Sequence, residues 1–289
     1  MRYKKLIILL FLIASCSSSK RISETTSKEV SKTVKTTDSI SENITPIEET
    51  TPKPIVVVKI NKPDIEAPPI KAETTEKVNH HAWHDLLQKY VSNKGHVNYK
   101  GLKNNRNALL NYITVLGKNT PNDLWTKADK LAYWINAYNA FTIDLILQNY
   151  PVKSIKDIKN PWKQRLWKLG SKWYNLEEIE HQILRKMDEP RIHFAIVCAS
   201  FSCPKLQNEA FTASNIESQL TLATTEFLND SARNTISKNS LELSKIFQWF
   251  AKDFKQNPSL IDFLNQYSTI EISAKAKKSF KNYNWDLNE

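Results

Sequence analysis

A cysteine and two hydroxyl groups follow an apolar run near the middle of the second half of the chain. Residues 192–197 form a short apolar run with β-branched and aromatic side chains, which is typical of a buried strand. Cys198, Ser200 and Ser202 come next, and Pro204 is incompatible with a simple continuation of a sheet ladder. The sequence thus predicts a thiol and two hydroxyls where a rigid element becomes a loop, a common place for chemistry. The alternative is structural, because small residues and cysteine are common in cores.

A thiol needs a base or a positive partner to become an efficient nucleophile. His193 lies about 16 Å from Cys198 if the run is extended, and on the opposite face, so we do not expect a direct pair. Glu180 and His181 lie on a separate predicted helix, with Glu180 on its apolar face. A carboxylate there must be paired or protonated, and an adjacent imidazole makes the pair a candidate base with its orienting group. A structural ion pair would give the same pattern.

Two buried amides are predicted on the longest helix. The pattern predicts this helix from a Thr-Pro pair at residue 120 to about residue 150, where Pro151 ends it. Its later half is apolar almost all round, so it is expected to be buried. Asn136 and Asn139 lie within that apolar surface, and an unpaired buried amide costs about 1–3 kcal/mol. One possibility is that backbone partners hold both amides. The other is that Asn139 assists catalysis, for example by orienting a side chain, and that Asn136 takes part in binding.

The start of the chain predicts export. Three basic residues precede an apolar run over residues 6–13 and then small residues, which is the pattern of a secretory signal too short to span a membrane. Residues 13–16, Ile-Ala-Ser-Cys, resemble a bacterial lipobox, which implies cleavage before Cys16 and lipid on its thiol. We therefore expect a protein of the bacterial cell envelope, anchored to a membrane by lipid, with its globular domain outside the cytoplasm. A plain signal peptide is the alternative.

The rest of the chain divides by composition. Residues 17–79 contain no Phe, Trp or Tyr and are rich in Pro, Thr, Lys and Glu, so they are predicted to be a disordered tether. All eight Trp residues lie in residues 80–289, which are predicted to form a single globular domain. Its pattern indicates an α+β fold, rich in helices around a small sheet.

A basic segment with interleaved tryptophans precedes the predicted Glu180 helix. Lys and Arg recur through residues 153–172, which contain a single acidic residue. Lys163 and Arg165 are the candidates for binding an anionic envelope polymer or peptide, and the export signal argues against nucleic acid. The alternative is a solvated basic face on a hairpin that turns at Gly170-Ser171. The helix after this segment is expected to begin with a capping box of Asn175 and Glu178.

Four segments taken together resemble the family called domain of unknown function 547, in its bacterial lipoprotein branch. The resemblance covers His84 to Asn288 and implies functional positions at Asn136, Asn139, Glu180, His181, His193 and Cys198. One departure is Val197, where bacterial relatives typically have Asn. Plant relatives look as if they have Ser at the position of Cys203, which would make an obligatory disulfide between Cys198 and Cys203 less expected. The resemblance supplies no established activity. The segments are Trp134–Ala140, Glu180–Arg185, His193–Pro204 and Tyr283–Trp285.

Three hypotheses follow. In the first, the protein is a thiol-dependent hydrolase or acyltransferase in which Cys198 attacks, His181 is the base, and Glu180 or Asn139 orients it. In the second, it is a non-catalytic binding lipoprotein with a basic, Trp-rich surface. The third, a metal site, has the unusual spacing Cys-x4-Cys, and we predict neither a metal nor a cofactor. A disulfide between the two cysteines would disable the first hypothesis. The binding candidates are Asn136, His193, Ser200, Ser202, Lys163 and Arg165.

Overall fold

The computed structural model describes residues 76–255 and 258–289. The predicted signal peptide, residues 1–16 with Cys16, lies outside these residues, as does nearly all of the predicted tether, residues 17–79. Within the described ranges, no helix has both the length and the apolar character needed to cross a membrane.

Helices dominate the described residues, and the strands are short. The helices are α1 (His81–Tyr90), α2 (Tyr99–Asn104), α3 (Arg106–Lys118), α4 (Lys127–Asn149), α5 (Leu176–Glu178), α6 (Ile216–Asn229), α7 (Ile246–Trp249) and α8 (Leu260–Asn265). The strands are β1 (Trp167–Leu169), β2 (Lys172–Tyr174), β3 (Thr235–Ile236), β4 (Ser240–Leu243) and β5 (Lys277–Phe280).

The strands form two small sheets. β1 and β2 make an antiparallel hairpin in which Leu169 pairs with Lys172, and Gly170 takes a φ of +59° that suits glycine in a tight turn. β4 pairs with β3 in antiparallel and with β5 in parallel fashion. The predicted α+β fold is confirmed, and so is the hairpin at Gly170-Ser171.

Helix α4 is the buried centre of the larger apolar cluster. Every residue from Leu131 to Leu147 is buried, as its apolar sequence predicts. The helix begins at Lys127, later than the Thr-Pro pair suggested. Thr126 and Asp129 form a capping box: the Thr126 hydroxyl accepts the Asp129 N–H at 3.2 Å, and the Asp129 carboxylate accepts the Thr126 N–H at 3.0 Å. This reciprocal cap satisfies two N–H groups at the helix start, which the upstream proline cannot do.

The predicted strand at residues 192–197 is wrong. Pro190–Phe194 form a 3-10 helix, and the N–H groups of Ala195 and Ile196 both donate to the Ile192 carbonyl at 2.9 Å. Pro190 supplies no N–H for a ladder, and its fixed φ suits the first helical position. The run is buried and apolar as predicted, but its backbone turns instead of extending.

The helix that carries Glu180 and His181 is irregular. α5 continues as a π-helix over Ile179–Ile183 and then as a 3-10 helix over Leu184–Met187. Short π-helical stretches are rare in proteins overall, and those that do occur often lie at functional sites. The predicted capping box is only half formed: Asn175 accepts the Glu178 N–H at 2.7 Å, but the Glu178 carboxylate pairs with Arg165 and Lys172.

Two apolar clusters meet at the segment that contains His193 and Cys198. The first is built on α1 to α5 and includes Ile192 and residues 195–197. The second is built on α6 to α8 and the three-stranded sheet, and it includes Phe194. The segment is thus anchored in both clusters, which makes it a rigid support for the loop that follows.

The capping box makes the stability of α4 testable. We expect Thr126→Ala to lower the free energy of unfolding by about 0.5–2 kcal/mol, because Thr126 caps the start of α4. This helix carries both the buried apolar side chains and the two buried amides. Urea unfolding of the purified protein measures this change. Asn105→Ala is the matched control, since the Asn105 side chain makes no capping hydrogen bond to α3. Equal losses in the two variants would contradict the role of the box.

Candidate active site

A cavity of about 740 Å³ opens between the two apolar clusters. Its wall combines α4, the π-helix, the segment 193–198, α7 and the C-terminal segment. The polar and ionisable side chains at its centre come from elements far apart in the chain. They are Tyr138, Glu180, His181, His193, Cys198 and Tyr283.

Cys198 is partly exposed to this cavity, and its sulfur is surrounded by hydrogen-bonding groups. Its Sγ lies 2.9 Å from Cys203 Sγ, 3.1 Å from Ser200 Oγ and 3.2 Å from Tyr283 Oη. Ala199, directly after it, is buried and has a φ of +55°, which is uncommon for a residue with a side chain. The chain therefore turns sharply after Cys198 and brings Ser200 back against the sulfur.

These contacts favour the thiolate form of Cys198. The hydrogen bond with Cys203, together with those of Ser200 and Tyr283, outweighs burial and lowers the pKa of Cys198 to about 7. Burial, followed by the neighbouring Cys198, raises the pKa of Cys203 well above its ordinary value. The structure holds both as free thiols, so one proton is retained on the buried Cys203 while Cys198 can ionise near neutral pH.

The C-terminal segment closes the outer side of the Cys198 loop. Ser200 and Leu287 form an antiparallel bridge, and the Phe201 N–H donates to the Asp286 carbonyl at 2.7 Å. Ser202 Oγ accepts the Asn284 N–H at 2.9 Å. This pairing places the Tyr283 hydroxyl at the sulfur. The predicted binding residues Ser200 and Ser202 therefore hold the loop, and neither lines this cavity.

His181 lines the cavity with one ring nitrogen already occupied. Arg185 Nη1 lies 2.8 Å from His181 Nδ1. Because a guanidinium can only donate, Nδ1 must accept and the ring proton of His181 lies on Nε2. This geometry does not support the predicted role of His181 as general base, and it makes His181 a hydrogen-bond donor.

His193 has the opposite arrangement. Its Nε2 lies 2.8 Å from Asp253 Oδ2, and its ring stacks on Phe250 with the ring centres 4.0 Å apart. Burial raises the pKa of Asp253, but the hydrogen bonds from Arg185 and His193 outweigh it and hold that pKa well below its usual range. A carboxylate can only accept, so His193 donates through Nε2, and in the neutral ring Nδ1 is then the nitrogen that carries no hydrogen.

The expectation that His193 cannot act near Cys198 assumed an extended strand. Because the segment is a 3-10 helix followed by a turn, both residues line the same cavity. Within residues 76–255 and 258–289, no hydrogen bond joins Cys198 to His181 or to His193. The imidazoles therefore share a chamber with the sulfur without touching it in this structure.

Glu180 is buried and engaged. Its Oε2 accepts the Tyr138 hydroxyl at 2.9 Å. Burial first, and the Glu180 carboxylate next, raise the pKa of Tyr138 well above its ordinary value, so Tyr138 stays a donor. The predicted pairing requirement for Glu180 is met by Tyr138, and Glu180 makes no hydrogen bond to His181 within the described residues.

The two buried amides have backbone partners. Asn136 donates to the Phe211 carbonyl at 2.7 Å and accepts the Phe211 N–H at 3.0 Å. Asn139 donates to the Ala195 carbonyl at 2.9 Å and accepts the Val197 N–H at 3.0 Å. Neither lines the cavity. The structural alternative thus accounts for both amides: Asn136 is fully buried against the Phe211 backbone, and Asn139 holds the backbone of the segment that leads to Cys198.

The two basic residues predicted to bind an anion, Lys163 and Arg165, lie in different places. Lys163 lines the cavity and is exposed, with its Nζ 3.8 Å from Glu177. Arg165 lies outside the lining, bonded to Glu178 at 2.6 Å and to the Trp173 carbonyl at 2.7 Å. The ion pair with Glu178 holds Arg165 on the hairpin, away from the cavity.

Three residues of the site were not identified from the sequence as site residues: Arg185, Asp253 and Tyr283. Arg185 and Tyr283 belong to segments that carried the family resemblance, which was the available signal. Asp253 lies in an aromatic stretch with no pattern that marks it. Among the described residues, no group of three or more His, Cys, Asp or Glu side chains could hold a metal ion, so this geometry gives the metal hypothesis no support.

Comparison with known proteins identifies a family model but no activity. Residues 122–228 match the model described as "Protein of unknown function, DUF547". This match supports the domain family that the sequence resembled, and it includes α4, Glu180, His181 and the Cys198 loop. It ends before Asp253 and Tyr283. No curated protein and no solved structure matches the chain.

The pKa of Cys198 should depend on Cys203. In the wild-type protein, the rate of Cys198 alkylation by iodoacetamide should rise with pH with a midpoint of about 7. Cys203→Ala removes the largest contribution that lowers this pKa, so we expect the midpoint to move upward. Cys203→Ser keeps a hydroxyl donor and should move it less. Peptide mass spectrometry after timed labelling measures the rates, and an unchanged midpoint in Cys203→Ala would contradict the assignment.

Proposed function

We propose that this protein is a lipid-anchored thiol enzyme that hydrolyses or transfers acyl groups. The observation that carries the proposal is the cavity lined by both the activated Cys198 thiol and His193, whose Nε2 is bonded to Asp253. A nucleophile, a base and a third group that fixes the base form the arrangement of a nucleophilic enzyme.

Cys198 supplies the nucleophile. With its pKa lowered to about 7, a large fraction is thiolate at neutral pH. Thiolate is the reactive form, and acyl carbon is a good electrophile for it. The partial exposure of Cys198 and the volume of the cavity leave room for a carbonyl group beside the sulfur.

His193 supplies acid and base catalysis. Its Nδ1 takes the proton that Cys198 loses, and Asp253 stabilises the resulting imidazolium through Nε2. Sulfur then forms a bond to the carbonyl carbon, the carbonyl π electrons move to oxygen, and the His181 N–H is the candidate donor to that oxyanion.

Collapse of this intermediate breaks the bond from carbon to the leaving nitrogen or oxygen. The leaving group takes the proton from His193, and a thioester remains on Cys198. Water, or an acceptor amine or alcohol, then attacks the thioester while His193 takes its proton. The acyl product departs, and Cys198 is regenerated. Water as acceptor makes the protein a hydrolase, and a second molecule makes it an acyltransferase.

A second candidate is binding without chemistry. The same cavity is lined by lysines and tryptophans, including Lys163 and Trp162, which favours a ligand with negative charge. In this case Cys198→Ala retains the ligand, whereas the enzyme loses turnover. We propose the bacterial lipoprotein branch of the family and an envelope location for either candidate, supported by the lipobox at residues 13–16.

Acylation by a simple activated ester tests the enzyme. We expect p-nitrophenyl acetate to place one acetyl group on Cys198, and Cys198→Ala to abolish it. His193→Gln should slow turnover by roughly 10²- to 10⁴-fold, as expected for loss of general acid and base catalysis. His181→Ala should slow it less, because it removes a donor and leaves the base. Intact-protein mass and release of p-nitrophenolate measure the two steps.

Cys203→Ser is the matched control, since it removes the second thiol and retains Cys198. Thermal melting of each variant establishes that it is folded. Acetylation that persists in Cys198→Ala, or turnover unchanged in His193→Gln, would contradict the proposed mechanism.

The proposed anchor is tested separately. Cys16→Ser should move the protein from the membrane fraction to the soluble fraction, because the substituted side chain lacks the thiol that receives lipid. Fractionation of cells that express each form, followed by immunodetection, measures the distribution. Cys198→Ser serves as control and should stay with the membrane. A Cys16→Ser protein that stays there as well would argue against lipidation at this position.

A further inference from the structure

Three lysines lie at the opening of the cavity. Lys156, Lys159 and Lys163 line it and are exposed, so they stand where the cavity meets solvent. They belong to one stretch that begins with a 3-10 helix at Ile155–Asp157. Within the described ranges, no salt bridge involves Lys156 or Lys159, whereas Lys163 lies 3.8 Å from Glu177.

An aromatic wall accompanies these charges. Trp285 stacks on Trp249 with ring centres 5.8 Å apart and contacts Trp162 edge to face at 6.1 Å. Lys156 Nζ lies 5.1 Å from the centre of the Trp285 ring, a cation–π contact. Trp249 is 46% exposed although it lines the cavity. The wall thus presents flat apolar surface beside a positive charge.

The acidic residues of the cavity do not cancel these charges. Glu180 is buried and bonded to Tyr138, and Glu177 lies beside Lys163. The charges of Lys156 and Lys159 therefore remain available at the opening. Cations concentrated at the mouth of a cleft raise the local concentration of anionic molecules and speed their entry.

We infer that the cavity selects acyl substrates that carry a carboxylate next to a flat apolar group. The carboxylate is held by Lys156 and Lys159, and the apolar group lies on the wall of Trp249 and Trp285. This inference rests on the proposed function, because it names the substrate class of the same thiol. The lysines and the wall act in binding, and the thiol chemistry is the same for charged and neutral substrates.

Two alkylating reagents that differ in charge separate selection from reactivity. The Cys198 sulfur displaces iodide from both iodoacetate and iodoacetamide, but only iodoacetate is anionic. We expect the ratio of the two rates, iodoacetate to iodoacetamide, to exceed that of a free cysteine peptide at low salt and to fall as salt is added.

Lysine variants show which residues produce the preference for iodoacetate. Lys156→Gln and Lys159→Gln should each lower the ratio by roughly threefold at low salt, as expected for removal of one nearby charge in a partly solvated site. Lys100→Gln is the matched control, because Lys100 is exposed and does not line this cavity. Its ratio should equal that of the wild-type protein.

Protection experiments test the apolar group. N-acetylphenylalanine should slow the labelling of Cys198 by iodoacetamide more than its neutral amide does, and more than N-acetylglycine does. Trp249→Ala should remove the advantage of the phenylalanine compound over the glycine compound.

The outcomes are distinct from those for the enzyme. A ratio equal to that of the free peptide, or one unchanged in both Lys156→Gln and Lys159→Gln, would overturn the substrate class. The rate with iodoacetamide alone reports the reactivity of Cys198, so an ordinary rate there would count against the proposed function instead. Equal protection by the acid and its amide would also overturn the inference.

Discussion

One buried amide determines the path of the segment that carries the thiol. Residues 195–197 have no sheet partner among the described residues, and Asn139 on α4 satisfies the Ala195 carbonyl and the Val197 N–H in its place. A ladder would spread these bonds over a strand, whereas here a single side chain makes both. Since α4 is buried from Leu131 to Leu147, the amide is held rigidly. Tyr138, the preceding residue, binds Glu180, so one turn of α4 positions both the thiol segment and the acid.

A single cation gives the two imidazoles different roles. Arg185 contacts His181 directly and binds both carboxylate oxygens of Asp253, at 2.6 and 2.8 Å. Through the first contact it makes His181 Nδ1 an acceptor. Through the second it helps to keep the pKa of Asp253 low, so that the carboxylate accepts a hydrogen bond from His193 Nε2. As a result, His181 has its Nδ1 bonded to a cation and His193 has its Nε2 bonded to a carboxylate. Arg185 does this from the irregular helix that also carries His181.

The sequence predicted the main parts of the site but not their geometry. Cys198, Glu180 and His181 could be identified because each is a polar group at an apolar position or at the end of an apolar run, and they do line one cavity. Asp253 could not be identified, because its partner His193 is 60 residues away in the chain and pairs with it only after folding.

Local errors had local causes. A buried apolar run reads alike as a strand or as a compact turn, so residues 192–197 were predicted as a strand. Pro190 at the start of the run was the sign of the 3-10 helix. For α4, the reciprocal cap of Thr126 and Asp129 was a stronger start than the proline upstream. Asn136 and Asn139 were correctly expected to be paired, and only coordinates could tell that both partners are backbone.

The Tyr283 hydroxyl reaches the Cys198 sulfur from 85 residues further along the chain. As the polypeptide is synthesised from its N-terminus, the thiol emerges long before the group that completes its surroundings. The contribution of Tyr283 to the lowered pKa of Cys198 therefore requires the C-terminal segment paired at the Ser200–Leu287 bridge, whereas Cys203, the largest contributor, lies five residues from Cys198. A chain that ends before this segment lacks the Tyr283 hydrogen bond and retains only the part of the Cys198 environment that Cys203 and Ser200 supply.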